Sequence, residues 1–339
     1  MSHAACDVLG VGPFAAAALY ENLDWLAPRQ AAVEEKLFAQ RPKPTSVSLF
    51  LYDGTRRYVA GTHQALAAFG YQRDGQTGKR QMVLGLLCAE DGQPVSIEVF
   101  PGQTQDPQTF AVPLNQVKAR FGVTASTCGG ARGMSKGQPS EDLAPQGLHA
   151  ITAITKPQME KLLQQGTVQM ALFALEVAEV RAEEGIRYVR RRKPGRAQEV
   201  RDTRHAKLAT LQAHGAQQNP YLPDHPRAHP QGALQQLGAR AAQRRLVDWV
   251  ALPLEGCALT LTLEEDAQQE AAKRDGCDVL KTDLTPAQAP KAMVHDRYKE
   301  LAGVEQAFRT GKTAPLAGRP LFLRLAARTR AQAFVVRLA

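Results

Sequence analysis

The chain has 339 residues, 44% of them hydrophobic and 22% charged. It carries 42 Lys and Arg against 33 Asp and Glu, a formal charge of +9. That composition is too apolar for a disordered chain, and no stretch approaches the roughly 18 unbroken apolar residues of a membrane-spanning helix. The length allows about two domains, or one core with a large insertion. The positive balance points to a polyanionic partner without separating nucleic acid from an ordinary basic surface. The apolar patch from Pro13 to Tyr20 has no basic run before it and is too short for a secretory signal, so a cytoplasmic protein is expected. Five scattered cysteines (Cys6, Cys88, Cys128, Cys257 and Cys277) form no Cys-x-x-Cys pair and have no His at zinc spacing. They read as reduced thiols.

In chain order, Phe14 to Gln40 predicts a helix, with Leu19, Leu23, Leu26, Val33 and Leu37 near helical spacing. Arg41-Pro42-Lys43-Pro44 stops it, since two prolines cannot continue a helix. Val47 to Tyr52 predicts a strand closed by Asp53-Gly54 as a turn. Gln81 to Cys88 and Pro94 to Phe100 predict two more, joined by a hairpin at Ala89 to Gln93. A helix from Asp106 to Phe121 follows, with Asp106 as its cap and Pro107 at the first helical position. A weak strand lies around Val123 to Gly130. Three strands, a helix and a fourth strand open a mixed α/β domain.

The middle is less regular. Glu160 to Gln169 and Arg196 to Ala213 predict helices, while Asn219 to Gly232, with four prolines, predicts a loop in which His225 and His229 are solvated. The sharpest basic run is Arg187 to Lys193, either a nucleic-acid contact or the solvated face of a strand. Cys257 to Leu263 and Cys277 to Thr282 predict strands, and Ala292 to Arg309 a helix. From Lys312 onward there is no acidic residue while six Lys and Arg accumulate, a surface suited either to phosphates or to Arg lying along an amphipathic helix.

Two carboxylates stand out. Asp53 ends a predicted buried strand, where α/β sheets commonly bind ligands, although Asp-Gly is also an ordinary turn opening. Glu305 lies on the face of the predicted last helix that also presents Tyr298 and Leu301, with Lys312 two turns beyond. A carboxylate beside Tyr and Lys suits a site for a cation and a phosphate, or is simply a surface Glu.

At these residues the chain resembles the DDE transposases of bacterial insertion sequences, the IS-four-like superfamily marked by a Tyr-x2-Arg-x3-Glu-x6-Lys signature. Five blocks match in order: Leu51 to Thr55; Phe69 to Asp74 with Lys79 to Leu86; Gly92 to Thr104; Arg132-Gly133-Met134; and Tyr298 to Lys312. The likeness runs from about Leu23 onward and is weakest between Arg196 and Val250.

This resemblance implies an α/β fold, an RNase H-like mixed sheet flanked by helices and interrupted by an insertion with β and helical segments. The expected divisions are 1–45, an N-terminal helical remnant; 46–155, the first part of the core; 156–275, the insertion; and 276–339, the rest of the core with the signature helix and basic tail. It implies phosphoryl transfer on DNA with two Mg2+ (or Mn2+) ions, because a hard cation takes carboxylate oxygens in near-octahedral geometry. By position, Asp53 and Glu305 become catalytic metal ligands. Tyr298, Lys312, Arg309 and Arg132 become DNA contacts, and transposon ends, target DNA and a second copy of the chain become the expected partners.

Two departures matter. Leu301 occupies the Arg place of the signature, which weakens that one backbone contact. Ala131 stands where the family has its second catalytic Asp, and alanine cannot ligate a metal. A loss of about 4 kcal/mol of two-metal stabilisation would slow the step roughly a thousandfold. Glu141 and Asp142, some ten residues downstream, are poor substitutes. Family members are also commonly longer at both ends, so the expectation is a degenerate or truncated transposase, folded but catalytically impaired. The alternatives are a non-catalytic DNA-binding derivative, or a nuclease whose site has been rearranged around another carboxylate.

Overall fold

The computed structural model describes residues 10, 12, 14–42, 48–59, 61–71, 78–123, 126–130, 147–168, 177–181, 185–225, 229–310 and 323–338. The chain divides into two compact units, one of residues 1–158, 181–189 and 280–339, the other of residues 159–180 and 190–279. Among the described residues, no helix is long and apolar enough to cross a membrane.

The first unit opens with α1 (Ala16–Leu26) and α2 (Gln30–Ala39), separated by a 3-10 turn at Ala27–Arg29. The single helix predicted from Phe14 to Gln40 is therefore broken. Pro28 has no N–H to give and its ring crowds the preceding turn, so the backbone tightens there.

Three antiparallel strands follow: β1 (Leu49–Val59), β2 (Arg80–Ala89) and β3 (Pro94–Pro101). The Asp53-Gly54 turn read from the sequence does not form, because β1 continues to Val59. Gly54 lies opposite Gly85 on β2, and pairing proceeds unbroken on either side. Gly85 has no room for a side chain, since a Cβ there would lie 2.1 Å from the Tyr52 hydroxyl. The Tyr52 ring thus crosses β2 at the one residue that admits it.

Helix α3 (Asp106–Phe121) returns the chain to β4 (Ser126–Gly130), parallel to β1, and then to β5 (Leu148–Ala153), parallel to β4. The cap of α3 is Gln105 rather than the predicted Asp106, in a capping box with Gln108. Beyond α4 (Lys156–Gln164) come β6 (Val177–Arg181) and β7 (Arg187–Arg192), and much later β12 (Cys277–Thr282), antiparallel to β5. The sheet order is β3-β2-β1-β4-β5-β12-β7-β6. This is a mixed α/β sheet of eight strands flanked by helices, as the resemblance implies.

Strand alternation gives the sheet two apolar faces. Phe50, Tyr52, Leu87, Ala89 and Val95 pack with Phe38 of α2 and with Phe110, Val117 and Phe121 of α3. Leu49, Leu51, Leu86, Cys88 and Ile97 pack instead with Leu301, Val304 and Phe334. The last three come from α9 (Leu301–Thr310) and α10 (Ala326–Leu338); α8 (Lys291–Lys299) precedes them. The helix predicted from Ala292 to Arg309 is two helices. The backbone tightens at Glu300, whose carbonyl accepts the Gly303 N–H at 2.9 Å.

The outer edge of β3 is not left bare. Gln30 donates to the Ile97 carbonyl at 2.7 Å, Glu34 accepts the Ile97 N–H at 3.3 Å, and Arg337 donates to the carbonyls of Pro94 and Val95 at 2.8 and 2.9 Å. Side chains thus satisfy the edge groups that would otherwise offer a template for another strand. Elsewhere in this unit, fully buried Arg187 donates to the Leu284 and Ala289 carbonyls at 2.6 and 3.0 Å. The basic run therefore begins with a structural arginine.

The second unit is built on α5 (Pro194–Asp224) and α6 (Pro230–Arg244), followed by two-residue strands β8 (Val250–Ala251), β9 (Leu254–Glu255), β10 (Ala258–Leu259) and β11 (Thr262–Leu263), and by α7 (Glu265–Lys273). Leu208, Leu211, Leu237, Ala241, Leu246, Trp249 and Val250 form its core. Two sequence expectations fail here. Asn219 to Asp224 is helix, not loop: Leu222 packs with Ala233 and Leu259, and the Asn219 amide holds the Leu259 backbone in both directions, at 2.9 and 2.8 Å. Tertiary packing outweighs the prolines. Cys257 to Leu263 alternates as one strand should, yet β10 and β11 pair separately with β9 and β8. The helix predicted at Glu160 to Gln169 also lies earlier, as α4. His225 is exposed, stacked on the Tyr221 ring at 3.8 Å.

Among the described residues all four cysteines are free thiols. Burial pushes the Cys88 and Cys128 thiols up to about 12, whereas Cys257 is exposed. Iodoacetamide is therefore expected to alkylate Cys257 in the native protein and to reach Cys88 and Cys128 only after unfolding. Peptide mass spectrometry with and without urea reads this directly, and native labelling of Cys128 would contradict its burial.

Candidate functional site

Asp53 lies within β1, half-buried, where the neighbouring strand ends. The last residue of β4, Gly130, is paired with Tyr52, one position before it. Its Oδ1 accepts the N–H of Gly54 at 2.8 Å, which orients the carboxylate. Since side chains alternate along a strand, Asp53 shares its face with Leu49 and Leu51, the face that α9 covers.

Leu301 and Val304 fix α9 on that face. They are buried against β1 and β2, leaving Glu305 beside Val304 at the solvent flank with 62% of its side chain exposed. Arg309, one turn on and 73% exposed, lies 3.9 Å from the Glu305 carboxylate. A contact this long and this exposed holds neither group firmly. Tyr298 is half-buried and packs into the core on both sides of the α8–α9 break, so much of its ring serves packing.

The structure thus lays the helix that carries Glu305 on the face of β1 that carries Asp53, with Arg309 beside Glu305. Ala131, Arg132 and Lys312 lie outside the described residues. On the strand next to Asp53, β4 is short of large side chains for a visible reason. A Cβ on Gly129 would lie 3.0 Å from Leu51 and 4.0 Å from Leu301, so small residues here let β1 and α9 close over the strand. The polar Thr127 is also served, accepting a hydrogen bond from Arg297 at 3.1 Å.

Among the described residues, no group of three His, Cys, Asp or Glu side chains could hold a metal ion. Asp53 and Glu305 are carboxylates, the oxygen donors that Mg2+ takes, and with two of them the ion would keep several waters and complete its shell with substrate phosphate oxygens. They do not suit a close pair of ions, for which a third carboxylate is needed to offset the charge.

Two acidic groups escaped sequence reasoning. Asp106 is paired with Arg56 at 2.9 Å, and Glu98 accepts from Gln116 at 2.8 Å. Burial first, then the charges of Asp53, Glu98 and Asp106, raises the Tyr52 phenol well above its ordinary range and keeps it protonated. Strand register and the packing of α3 on the sheet bring these groups together, so the sequence carries no local signal for them.

A further cluster stands at the beginning of the parallel strands. His149 Nδ1 donates to Asp283 at 2.8 Å, the other Asp283 oxygen accepts the Ala150 N–H at 2.8 Å, and Gln288 lies 3.2 Å from His149 Nε2. Both imidazole nitrogens are engaged. The cluster fastens β5 to the segment after β12 rather than offering a free base.

No protein-family model matches this chain, and no curated protein matches it. Among solved structures it is similar to the piggyBac transposase synaptic complex with hairpin DNA, at a TM-score of 0.41 and 7% identity. The match covers 85% of this chain and 46% of that one, so this chain spans less than half of the neighbour's length. A likeness that distant carries no argument about function.

Proposed function

We propose that this protein acts on DNA as an insertion-sequence transposase of the DDE kind, reduced to two of its three catalytic carboxylates. The observation that supports the reading most is that Leu49 and Leu51, on the face of β1 that also carries Asp53, pack with Leu301 and Val304 of the helix that carries Glu305. That arrangement agrees with the roles the sequence resemblance assigns to both.

In this reading Asp53 and Glu305 hold Mg2+ or Mn2+. A bound divalent cation would stabilise negative charge on the oxygen leaving phosphorus. Asp53, oriented by the Gly54 N–H, sits on a rigid strand, and Glu305 rides on a helix fixed by its apolar side. Tyr298 offers its hydroxyl, and Arg309, Lys312 and Arg132 their charges, to the DNA backbone near the scissile phosphate. Two chains pairing two transposon ends would complete the working assembly.

Ala131 favours a second reading, a DNA-binding protein that no longer cleaves. DNA carrying the ends of the element, incubated with Mn2+ or Mg2+, separates the two. The first reading expects slow formation of 3′-hydroxyl ends, abolished by EDTA, by Asp53→Ala and by Glu305→Ala. Salt-sensitive binding indifferent to EDTA, with no cleavage under any metal, would leave the second.

A further inference from the structure

Beyond Asp53, β1 runs on toward the open end of the β1–β2 pair, where two large aromatic side chains stand in solvent. Phe69 is 61% exposed and Tyr71 76%. Their backbone is far from loose. Ala68 and Gln81 exchange both backbone hydrogen bonds, at 3.0 and 2.9 Å, forming a bridge beside β2. The fully buried Gln81 amide donates to the Tyr71 and Gly102 carbonyls at 3.2 and 3.0 Å.

Two rows pass so closely here that a Cβ on Gly70 would lie 2.2 Å from the Gly102 oxygen, and one on Gly102 would lie 2.0 Å from the Gln81 oxygen. Leu66, four residues before Gly70, is buried with Met82 and Val99. The segment is anchored through its backbone and Leu66, so the exposed rings are not needed to hold it down.

One of the two rings has a cation over it, and a second cation lies near a third aromatic ring, Tyr58. The Arg80 guanidinium lies 5.5 Å from the Phe69 ring, and the Lys79 ammonium 5.9 Å from the Tyr58 ring. Between Gly54 and Cys88 the sequence holds five Lys and Arg and a single acid, Asp74; of the five, Arg56 is paired with Asp106 and Arg57 is buried. Arg80 is paired with Val59, six residues along the same strand from Asp53 and on the same face, about 20 Å away.

The geometry points to a platform for single-stranded DNA at this end of the sheet, with Phe69 and Tyr71 stacking on unpaired bases and Arg80 and Lys79 holding the flanking phosphates. Aromatic faces fit bases of any sequence, but only where the bases are not already stacked in a duplex. Lys79 and Arg80 at this end favour a polyanion over a protein surface. This inference rests on the proposed function, since it gives the displaced strand beside the Asp53 site a place to lie.

Fluorescence anisotropy of a labelled oligo-dT of about 15 nucleotides, against a blunt duplex of equal length, tests it. The wild-type chain is expected to prefer oligo-dT. Phe69→Ala and Tyr71→Ala should each weaken that binding about tenfold at unchanged salt dependence and unchanged melting temperature. Arg80→Gln should reduce the slope of log affinity on log salt by about 0.7. Unaltered oligo-dT affinity in a folded Phe69→Ala/Tyr71→Ala double variant overturns the platform and leaves the patch to a protein partner. Strand cleavage measured on the same preparations separates the two claims. Cleavage without aromatic-dependent binding sinks only the platform, whereas aromatic-dependent binding in a chain that never cleaves sinks only the catalytic reading.

Discussion

Ala131→Asp is expected to raise metal-dependent DNA strand cleavage about a thousandfold over the natural chain. The reason is electrostatic. A close pair of divalent cations brings four positive charges to one place, and Asp53 with Glu305 supplies two negative ones. The remaining repulsion is carried by the substrate phosphate alone. A third carboxylate at position 131, the residue following the Gly130 that pairs with Tyr52, would offset much of it. Recovering about 4 kcal/mol of transition-state stabilisation corresponds to that thousandfold. The measurement is single-turnover formation of 3′-hydroxyl ends in Mg2+ and in Mn2+. Binding of the same DNA serves as a control and should change little. If the Asp variant binds DNA normally and gains no cleavage, the two-carboxylate account of this site is wrong.

Glu34→Ala should lower the unfolding free energy by about 3–5 kcal/mol, the usual cost of breaking a buried ion pair from one side. Glu34 is fully buried and takes bonds from four partners: Arg120 at 2.7 Å, Ser96 at 2.9 Å, Gln30 at 3.1 Å and the Ile97 N–H at 3.3 Å. It ties α2, α3 and the edge of β3 together. Alanine would strand the Arg120 charge and leave Ser96 and Ile97 without a buried acceptor. Glu34→Gln keeps the shape and should cost less. Urea unfolding followed by circular dichroism, with hydrogen exchange of the β3 amides as the local reading, would show both. An Ala variant as stable as the parent would remove Glu34 from the framework.

The pH dependence of Glu34 follows from the sign of its shift. Burial raises its pKa above the ordinary carboxylate value, against the lowering effect of its hydrogen-bond partners and Arg120. The native state therefore holds this proton more tightly than the unfolded chain does. That contribution to stability is fully present below the unfolded carboxylate pKa of about 4.3 and fades as pH rises through the folded value. Glu34→Gln should flatten this part of the stability–pH curve.

Much of the sheet was legible because its signals are local. β2, β3 and their hairpin, β12 and α3 follow from runs of apolar residues bounded by Gly, Pro and Asp. What misled was punctuation. Asp53-Gly54 reads as a turn, yet Gly54 is only the residue that faces Gly85 beneath the Tyr52 ring. The prolines near Asn219 read as a loop, yet Leu222 and the Asn219 amide find partners forty residues away on β10. Turn and breaker residues report local preference, worth a kilocalorie or a few, which burial of one large side chain can offset.

The sequence by itself determined the composition of the candidate site: a carboxylate at 53, another at 305 on an amphipathic helix, and alanine at 131. It also determined the positive charge and the alternation that lets β1 bury two faces. Only the tertiary structure decided that Asp53 belongs inside a strand that outruns β4, and that α9 lies on its face. It alone decided that Tyr298 is spent largely on packing and that Phe69 and Tyr71 remain in solvent on a fastened backbone. Residue chemistry and periodicity are properties of neighbours along the chain. Facing, exposure and register are set by contacts between residues far apart in it, and those exist only once the core has formed.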